Sequence, residues 1–147
     1  MHLGTLILRH KPLHRSERTH NERGMGLTTV LAWVQRPDGR GQRQRLRFLA
    51  DSGAVYTVLP ENSWKRLRLR PTRAAEFVLA DGSVISRGIA EARFTITGQT
   101  ATSPVVCGEG DDGPLLGAVT LETLGLMLNP LSRDVLPMKL ILGRHTP

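Results

Sequence analysis

The sequence predicts a mostly β protein with two short helices, built as a single domain. Short segments of β-branched or alternating residues recur along the chain, and glycine-rich turns separate most of them. No long helical pattern alternates with these strands, which argues against a βαβ arrangement. A length of 147 residues with 39% hydrophobic residues suffices for one core and excludes a wholly disordered chain.

The first strands are expected on either side of a turn at residues 37–39. Residues 27–34 are rich in β-branched and aromatic side chains, which favour a strand. In the next segment, residues 43–50, apolar side chains alternate with arginines. The arginines are therefore expected on the face toward water. They are Arg43, Arg45 and Arg47.

A short helix is predicted over residues 60–68. Glu61 lies in its first turn and basic residues lie in its last, which matches the helix dipole. Trp64 and Leu67 fall on one side, and we expect them to pack into the core. A strand, a tight turn at residues 81–82 and a second strand follow, which is typical of a hairpin.

The remainder of the chain is predicted to contain four more strand segments and a second short helix. In that helix Leu121 and Leu124 point inward, and Gly125 ends it. The acidic loop at 108–114 lacks the ligand spacing of a calcium-binding EF-hand, so we interpret it as a solvated loop. The predicted strands are 91–97, 100–107, 126–130 and 135–142.

Charge is distributed unevenly along the chain. Lys and Arg number 20 against 13 Asp and Glu, a net charge of +7; residues 1–73 hold +10 of charge and residues 74–147 hold −3. A basic excess can indicate nucleic-acid or membrane-surface binding. Aromatic residues make up only 4% of the chain, so we interpret the charge as a solvated face and do not expect a nucleic-acid partner.

Other function classes are disfavoured by what the chain lacks. A single cysteine, Cys107, excludes an internal disulfide and a cysteine-built zinc site, and we expect no metal or other cofactor. No apolar run approaches the roughly 18 residues that cross a bilayer, so no membrane span is expected. The expected compartment is the cytoplasm.

The domain is predicted to occupy residues 25–147. Residues 1–24 form a basic N-terminal extension with four of the five histidines and little periodicity, which we expect to be disordered. Met25 would then be the starting methionine of the domain itself.

An acidic residue interrupts an apolar segment at residues 48–60, FLADSGAVYTVLP. The triplet Asp51-Ser52-Gly53 alone is typical of a solvent-facing turn. Between two apolar strands it would place the carboxylate in a largely buried setting, where an ionised group is costly without a partner or a chemical role. Asp51 is therefore the candidate catalytic residue.

Three segments of the chain resemble retropepsin-like aspartic proteases, a family with retroviral and bacterial members. They occur in the family's order, and the third begins 64 positions after Asp51. Residues 121–130 also resemble the helix and strand that end the bacterial members, so the resemblance covers residues 25–142. The three segments are Asp51, Ser52, Gly53 and Ala54; Leu79, Ala80, Asp81, Gly82 and Ser83; and Leu115, Leu116 and Gly117.

The resemblance implies a closed β-barrel of the acid protease fold with half an active site in each chain. Asp51 would supply one carboxylate of a water-activating dyad, on a loop supported by its neighbours. A hairpin flap would cover the site, and an apolar floor would lie behind it. The loop residues are Ser52, Gly53 and Ala54, the flap residues Asp81, Gly82 and Ser83, and the floor residues Leu115, Leu116 and Gly117.

The implied activity is that of an aspartic-type endopeptidase acting on extended polypeptide as a homodimer. The chemistry needs two acids, and the chain offers one such loop. Asp81 is not expected to be the second acid, because glycine follows it where the hydroxyl residue should be.

Two positions depart from the retroviral pattern. Val55 stands where retroviral members have an acidic residue, and Ala118 stands where they have an arginine. Both members of that acid–base pair are missing here. These departures leave open a dimeric binding or scaffold domain of the same fold without proteolysis. The basic charge leaves a lesser alternative, a basic nucleic-acid-binding protein.

Overall fold

The computed structural model describes residues 28–139, 142 and 143. The predicted extension 1–24 and residues 25–27 lie outside the described residues, so the domain boundary stays a prediction. The observed elements in chain order are β1 (Thr29–Gln35), β2 (Gln44–Ala50), β3 (Thr57–Leu59), α1 (Glu61–Arg66), β4 (Arg73–Val78), β5 (Val84–Ile96), β6 (Gln99–Cys107), β7 (Leu115–Leu116), α2 (Ala118–Thr123), β8 (Leu126–Asn129) and β9 (Asp134–Pro137).

Six of the strands close into a barrel. The main sheet has the order β1, β2, β7, β3, β6, β5, β4, and β1 also pairs with β5, with Trp33 opposite Thr95. That pairing closes the sheet and leaves β4 outside it, so most strands have no open edge. Within the described residues, the predicted mostly β fold with two short helices is confirmed.

Alternation along the strands separates the interior from the surface. On β2, Phe48 is fully buried while Arg45 and Arg47 are exposed, as the pattern of that segment predicts. Phe48 packs against Phe94 of β5 with ring centroids 6.0 Å apart. Because apolar and polar side chains alternate in the same way on the neighbouring strands, the apolar ones form one core inside the barrel.

The two helices pack against the barrel through the side chains that the sequence singles out. Leu67, at the end of α1, is 3% exposed, and the Trp64 indole N–H donates to the Gly108 carbonyl at 2.8 Å. On α2, Leu121 and Leu124 are buried, and the helix ends before Gly125, whose φ is +71°. The left-handed conformation at that position suits glycine.

A second apolar cluster lies outside the barrel core. It contains five buried residues from the loop after β2 and from β3, β5, β6 and β7, and the partly buried apolar residues of the β4–β5 hairpin pack against it. This cluster joins the hairpin to the loop that contains Asp51. The buried members are Ala54, Val58, Ile89, Val106 and Leu115.

The acidic loop 108–114 is only partly solvated, which corrects the prediction for one residue. Asp112 is 3% exposed, and its carboxylate accepts a hydrogen bond from Arg87 Nε of β5 at 2.8 Å. The same carboxylate accepts the Glu109 backbone N–H at 2.9 Å. A buried charge requires such partners, so Asp112 ties the loop to β5.

No helix within the described residues is long and apolar enough to cross a membrane.

We predict that the stability contribution of the Cys107 thiol declines in alkaline solution. Burial raises the pKa of Cys107 from 9.0 to about 11, so within that interval unfolding releases a proton from the thiol. The thiol therefore makes its full contribution to the free energy of unfolding below pH 9, and this contribution is lost as the pH rises through about 11.

Denaturant unfolding of the wild type and of Cys107→Ala measures this effect at both ends of the interval. The difference in free energy of unfolding between the two proteins should narrow at the higher pH. Other alkaline titrations are common to both proteins and cancel in the difference. A difference that stays constant across the interval would contradict the prediction.

Candidate active site

The Asp51 loop crosses the end of a short strand. β7 lies between β2 and β3, parallel to β2 and antiparallel to β3. The chain that joins β2 to β3 must therefore pass over β7, and residues 51–56 make this crossing. The position of Asp51 is consequently set by β7 as much as by its own strand.

Hydrogen bonds hold the loop in one conformation. The Asp51 backbone N–H donates to the Leu116 carbonyl at 3.0 Å, and the Ala54 N–H donates to the Asp51 carbonyl at 3.0 Å. The Gly53 N–H donates to the Asp51 carboxylate oxygen Oδ1 at 2.9 Å. A backbone amide thus solvates the negative charge. Ser52 and Gly53 are exposed, whereas Ala54 is fully buried.

The far side of the loop caps α2. The first N–H groups of a helix have no partner within it, and Gly117, which precedes α2, provides no side-chain cap. The Ala118 N–H donates instead to the Ala54 carbonyl at 2.8 Å, and the Val119 N–H donates to the Val55 carbonyl at 3.0 Å. Carbonyl groups of the loop therefore accept the N–H groups that α2 leaves without a partner.

Gly117 allows the two segments to touch. A Cβ at this position would lie 2.5 Å from the Tyr56 carbonyl carbon and 2.7 Å from the Val55 oxygen, distances that no real side chain tolerates. Leu115 and Leu116, which precede it, are 7% and 0% exposed. The three residues predicted as the floor therefore lie directly against the loop.

A chain of buried hydroxyl groups lies behind this contact. The Gly117 N–H donates to Thr57 Oγ1 at 3.0 Å, and Thr57 Oγ1 lies 2.6 Å from Thr120 Oγ1. Thr120 Oγ1 is 2.9 Å from Ser103 Oγ, which donates to the Pro104 carbonyl at 3.1 Å. These bonds connect β3, α2 and β6, and low local dielectric strengthens each of them.

The hairpin predicted as the flap is formed by β4 and β5. The Leu79 N–H donates to the Ser83 carbonyl at 2.8 Å, and Gly82 has a φ of +85°. The Ser83 hydroxyl and its N–H both donate to the Asp81 carboxylate and hold the pKa of Asp81 below its ordinary value. Asp81 is therefore engaged within its own turn.

The apolar side of the hairpin meets the Asp51 loop. Tyr56 of the loop packs edge-on against Phe77 of β4, with ring centroids 6.4 Å apart. Val78 and Val84, opposite each other beside the turn, are 67% and 58% exposed. One face of the hairpin thus packs on the second apolar cluster as far as the turn, while Val78 and Val84 on its other face present apolar surface to solvent.

Two parts of the site could not be identified from the sequence. Thr57 lies inside an apolar strand and resembles any β-branched residue, and Thr120 lies in an apolar helix. Arg87 and Asp112 are 25 positions apart, and only the fold brings them together. Among the described residues, no group of three or more His, Cys, Asp or Glu side chains could hold a metal ion.

We predict that Gly117→Ala destabilises the fold. The added methyl group would clash with the backbone at Tyr56, so the free energy of unfolding should fall by about 1–3 kcal/mol. Gly113→Ala is the matched control, because a Cβ at Gly113 would have no neighbour within 4 Å. Thermal or denaturant unfolding measures both; an equal effect of the two substitutions would refute the close-contact explanation.

We predict that Thr57→Val also destabilises the fold. Valine has the same shape but leaves the Gly117 N–H without its acceptor and the Thr120 hydroxyl without one of its hydrogen-bond partners, at a cost of about 1–3 kcal/mol. Thr123→Val, on the exposed side of α2, is the same substitution outside the chain of hydroxyls and should change stability by less than about 0.5 kcal/mol. Equal unfolding free energies for the two variants would contradict a role for the buried hydroxyls.

One of three comparisons with known proteins found a match, and it concerns the fold. No family model and no curated protein matches the chain. Among solved structures, EIAV protease complexed with the inhibitor HBY-793 matches 82% of this chain and 97% of its own, with a TM-score of 0.53 and 18% sequence identity. At this identity the match concerns the fold alone. The chain thus has the mostly β fold of a retroviral protease, as its sequence resemblance implies.

Proposed function

We propose that the chain is one half of an aspartic-type endopeptidase and that two copies form the active enzyme. Each copy would contribute Asp51 to a shared site on a two-fold axis. The observation that supports this most directly is the construction of the Asp51 loop. An amide N–H holds its carboxylate at 2.9 Å, and the loop is locked against a buried apolar floor.

Two facing carboxylates suit the hydrolysis of a peptide bond. Like charges in close contact cannot both ionise, so the pair shares one proton. The ionised carboxylate takes a proton from water as the water oxygen attacks the peptide carbonyl carbon, and the protonated one donates to the carbonyl oxygen. Collapse of the tetrahedral intermediate breaks the C–N bond: the amine leaves with a proton from the dyad, and a hydroxyl of the intermediate returns a proton to the dyad as the carbonyl re-forms.

The hairpin and the second apolar cluster suit an extended polypeptide substrate. An extended segment can add backbone hydrogen bonds along a strand edge while its side chains enter apolar pockets. In the flap role, Asp81, Gly82 and Ser83 form the tip and the exposed Val78 and Val84 flank it. Closure of this hairpin over the bound peptide would exclude water from the dyad.

The loop residues have distinct supporting roles in this proposal. Ser52 is exposed beside Asp51, where its hydroxyl can bond to the loop of the second copy. Gly53 supplies the amide that solvates the carboxylate, and Ala54 is buried in the cluster below. Val55 is 42% exposed next to the site and offers an apolar contact rather than a charged one.

A dimeric binding domain without proteolysis is the second candidate. The absence of an acid at Val55 and of a base at Ala118 favours it, since the pair that accompanies the retroviral loop is replaced on both sides. This candidate expects a stable dimer that binds extended peptides and leaves them intact.

We predict that Asp51→Asn abolishes peptidase activity. An amide can neither accept the proton of water nor share one, so the rate should fall by about 10²–10⁴-fold, the range of general acid–base catalysis. The measurement is cleavage of a peptide library at mildly acidic pH, with inhibition by a pepstatin-type compound. Asp134→Asn, an exposed aspartate on β9, is the matched control and should keep full activity.

Mixing the two proteins tests the shared site separately. Excess Asp51→Asn chain should suppress wild-type activity beyond simple dilution, because mixed dimers would contain one carboxylate only. Activity that survives in Asp51→Asn would exclude the peptidase mechanism. A wild-type dimer that binds but never cleaves the library would favour the binding domain.

A further inference from the structure

An open cleft lined by arginines lies at the end of the barrel where β1 turns into β2. Its volume is about 410 Å³, and it brings together residues from the β1–β2 turn, the segment after α1, and β5. We call this feature the basic cleft. Its lining residues are Arg36, Pro37, Arg68, Leu69, Arg70, Thr72 and Glu91.

Within the described residues, two arginines of the basic cleft form no ion pair. Arg36 forms an ion pair with Asp38 at 2.8 Å, whereas neither Arg68 nor Arg70 forms an ion pair within the described part of the chain. Glu91 is the single acidic residue of the lining. With Arg36 paired to Asp38, the guanidinium groups of Arg68 and Arg70 remain against the one carboxylate of Glu91 around an open space, which favours an anionic ligand.

More arginines continue from the cleft across the adjoining barrel surface. Arg93 lies opposite Gln35 on β1, and its guanidinium donates to the Pro37 carbonyl at 2.7 Å. Two residues back on the same face, Trp33 has the Arg43 guanidinium 4.1 Å and the Arg45 guanidinium 5.9 Å from its ring centroid. We call the basic cleft together with Trp33, Arg43, Arg45 and Arg93 the basic pole.

We propose that the basic pole binds a polynucleotide through its phosphate groups. Arginine presents a planar fork of donors that fits phosphate, and the Trp33 ring beside the Arg43 guanidinium restricts the freedom of that fork in advance. A positively charged groove that follows the phosphate backbone binds single-stranded nucleic acid without sequence preference.

Other anionic partners fit the basic pole less well. A membrane surface would require apolar side chains beside the cations. The large apolar residues that are more than half exposed lie instead on the two hairpins and at residue 142. They are Val78, Val84, Leu131 and Leu142.

The basic pole is far from the Asp51 loop. β2 begins at Gln44, beside the pole, and ends at Ala50, directly before Asp51. Six residues of extended strand span about 20 Å. A polynucleotide at the pole would therefore leave the Asp51 loop accessible, and its binding does not depend on the proposed peptidase activity.

Salt-dependent binding tests the proposal. A labelled single-stranded oligonucleotide is titrated with the full-length protein by fluorescence anisotropy at several salt concentrations, and the slope of log K against log salt is measured. The variant is Arg68→Asn combined with Arg70→Gln; asparagine suits the left-handed backbone of Arg68, whose φ is +59°. Loss of two phosphate contacts should reduce the slope by about 1.4 for a single strand.

A charge-matched control separates a site from general attraction. Arg133→Asn combined with Lys139→Gln removes the same charge, two units, from the segment 133–139 at the β8–β9 hairpin and should leave the slope unchanged. Arg133 takes asparagine for the same reason as Arg68, because its φ is +60°. Arg36→Gln is a second cleft variant, should the first fail to fold by circular dichroism, and should reduce the slope by about 0.7.

The proposal is supported if only the cleft variants reduce the slope of log K against log salt, and if an unlabelled duplex or single strand displaces the labelled oligonucleotide. Equal effects of cleft and control variants, a wild-type slope in the cleft variants, or no binding would overturn it. Displacement of the oligonucleotide by polyglutamate or anionic vesicles at equal charge concentration would overturn it as well.

Discussion

The close crossing of the loop after β2 with the segment 115–118 is the constraint on which the rest of the structure depends. β7 has only two residues, too few to hold a place in a sheet by its own hydrogen bonds. It stays between β2 and β3 because the backbone at Gly117 lies against Tyr56, at a distance that excludes any side chain. The barrel can close only with β7 in this place, since β7 is the bridge between the two strands that flank it.

The same crossing explains why polar groups are buried at this point. Two chain segments that touch through their backbones leave N–H and C=O groups that cannot reach water. The carbonyls of Ala54 and Val55 accept the first N–H groups of α2, and the Thr57 hydroxyl accepts the Gly117 N–H. Within the described residues, no buried side-chain nitrogen or oxygen lacks a partner. Each hydrogen bond at the crossing therefore does two things: it satisfies a buried group and it fixes the direction in which the Asp51 loop leaves β2.

Local sequence patterns predict the strands and helices of this protein well, but they do not predict contacts between residues that are distant in the sequence. Alternation around Phe48 predicts β2 and its exposed arginines, and the turn at residues 81–82 predicts the hairpin, because both depend on neighbouring residues only. The insertion of β7 between β2 and β3 depends on pairings across 57 to 66 positions, which periodicity does not record. The family resemblance indicated only that residues 115–117 lie behind the loop. Asp112 is wrongly predicted as solvated for the same reason, since its partner Arg87 belongs to another strand.

Distance along β2 also determines how the two ends of the barrel influence one another. The arginines of the basic pole adjoin the Gln44 end, and Asp51 follows the Ala50 end. Their separation of about 20 Å is at least twice the Debye length of about 8–10 Å at physiological salt. The positive potential of the pole is thus largely screened at the Asp51 loop, where the Gly53 amide donates to the carboxylate at 2.9 Å. Because screening limits the reach of the basic surface, an excess of +7 in the whole chain is compatible with an acidic site at this loop.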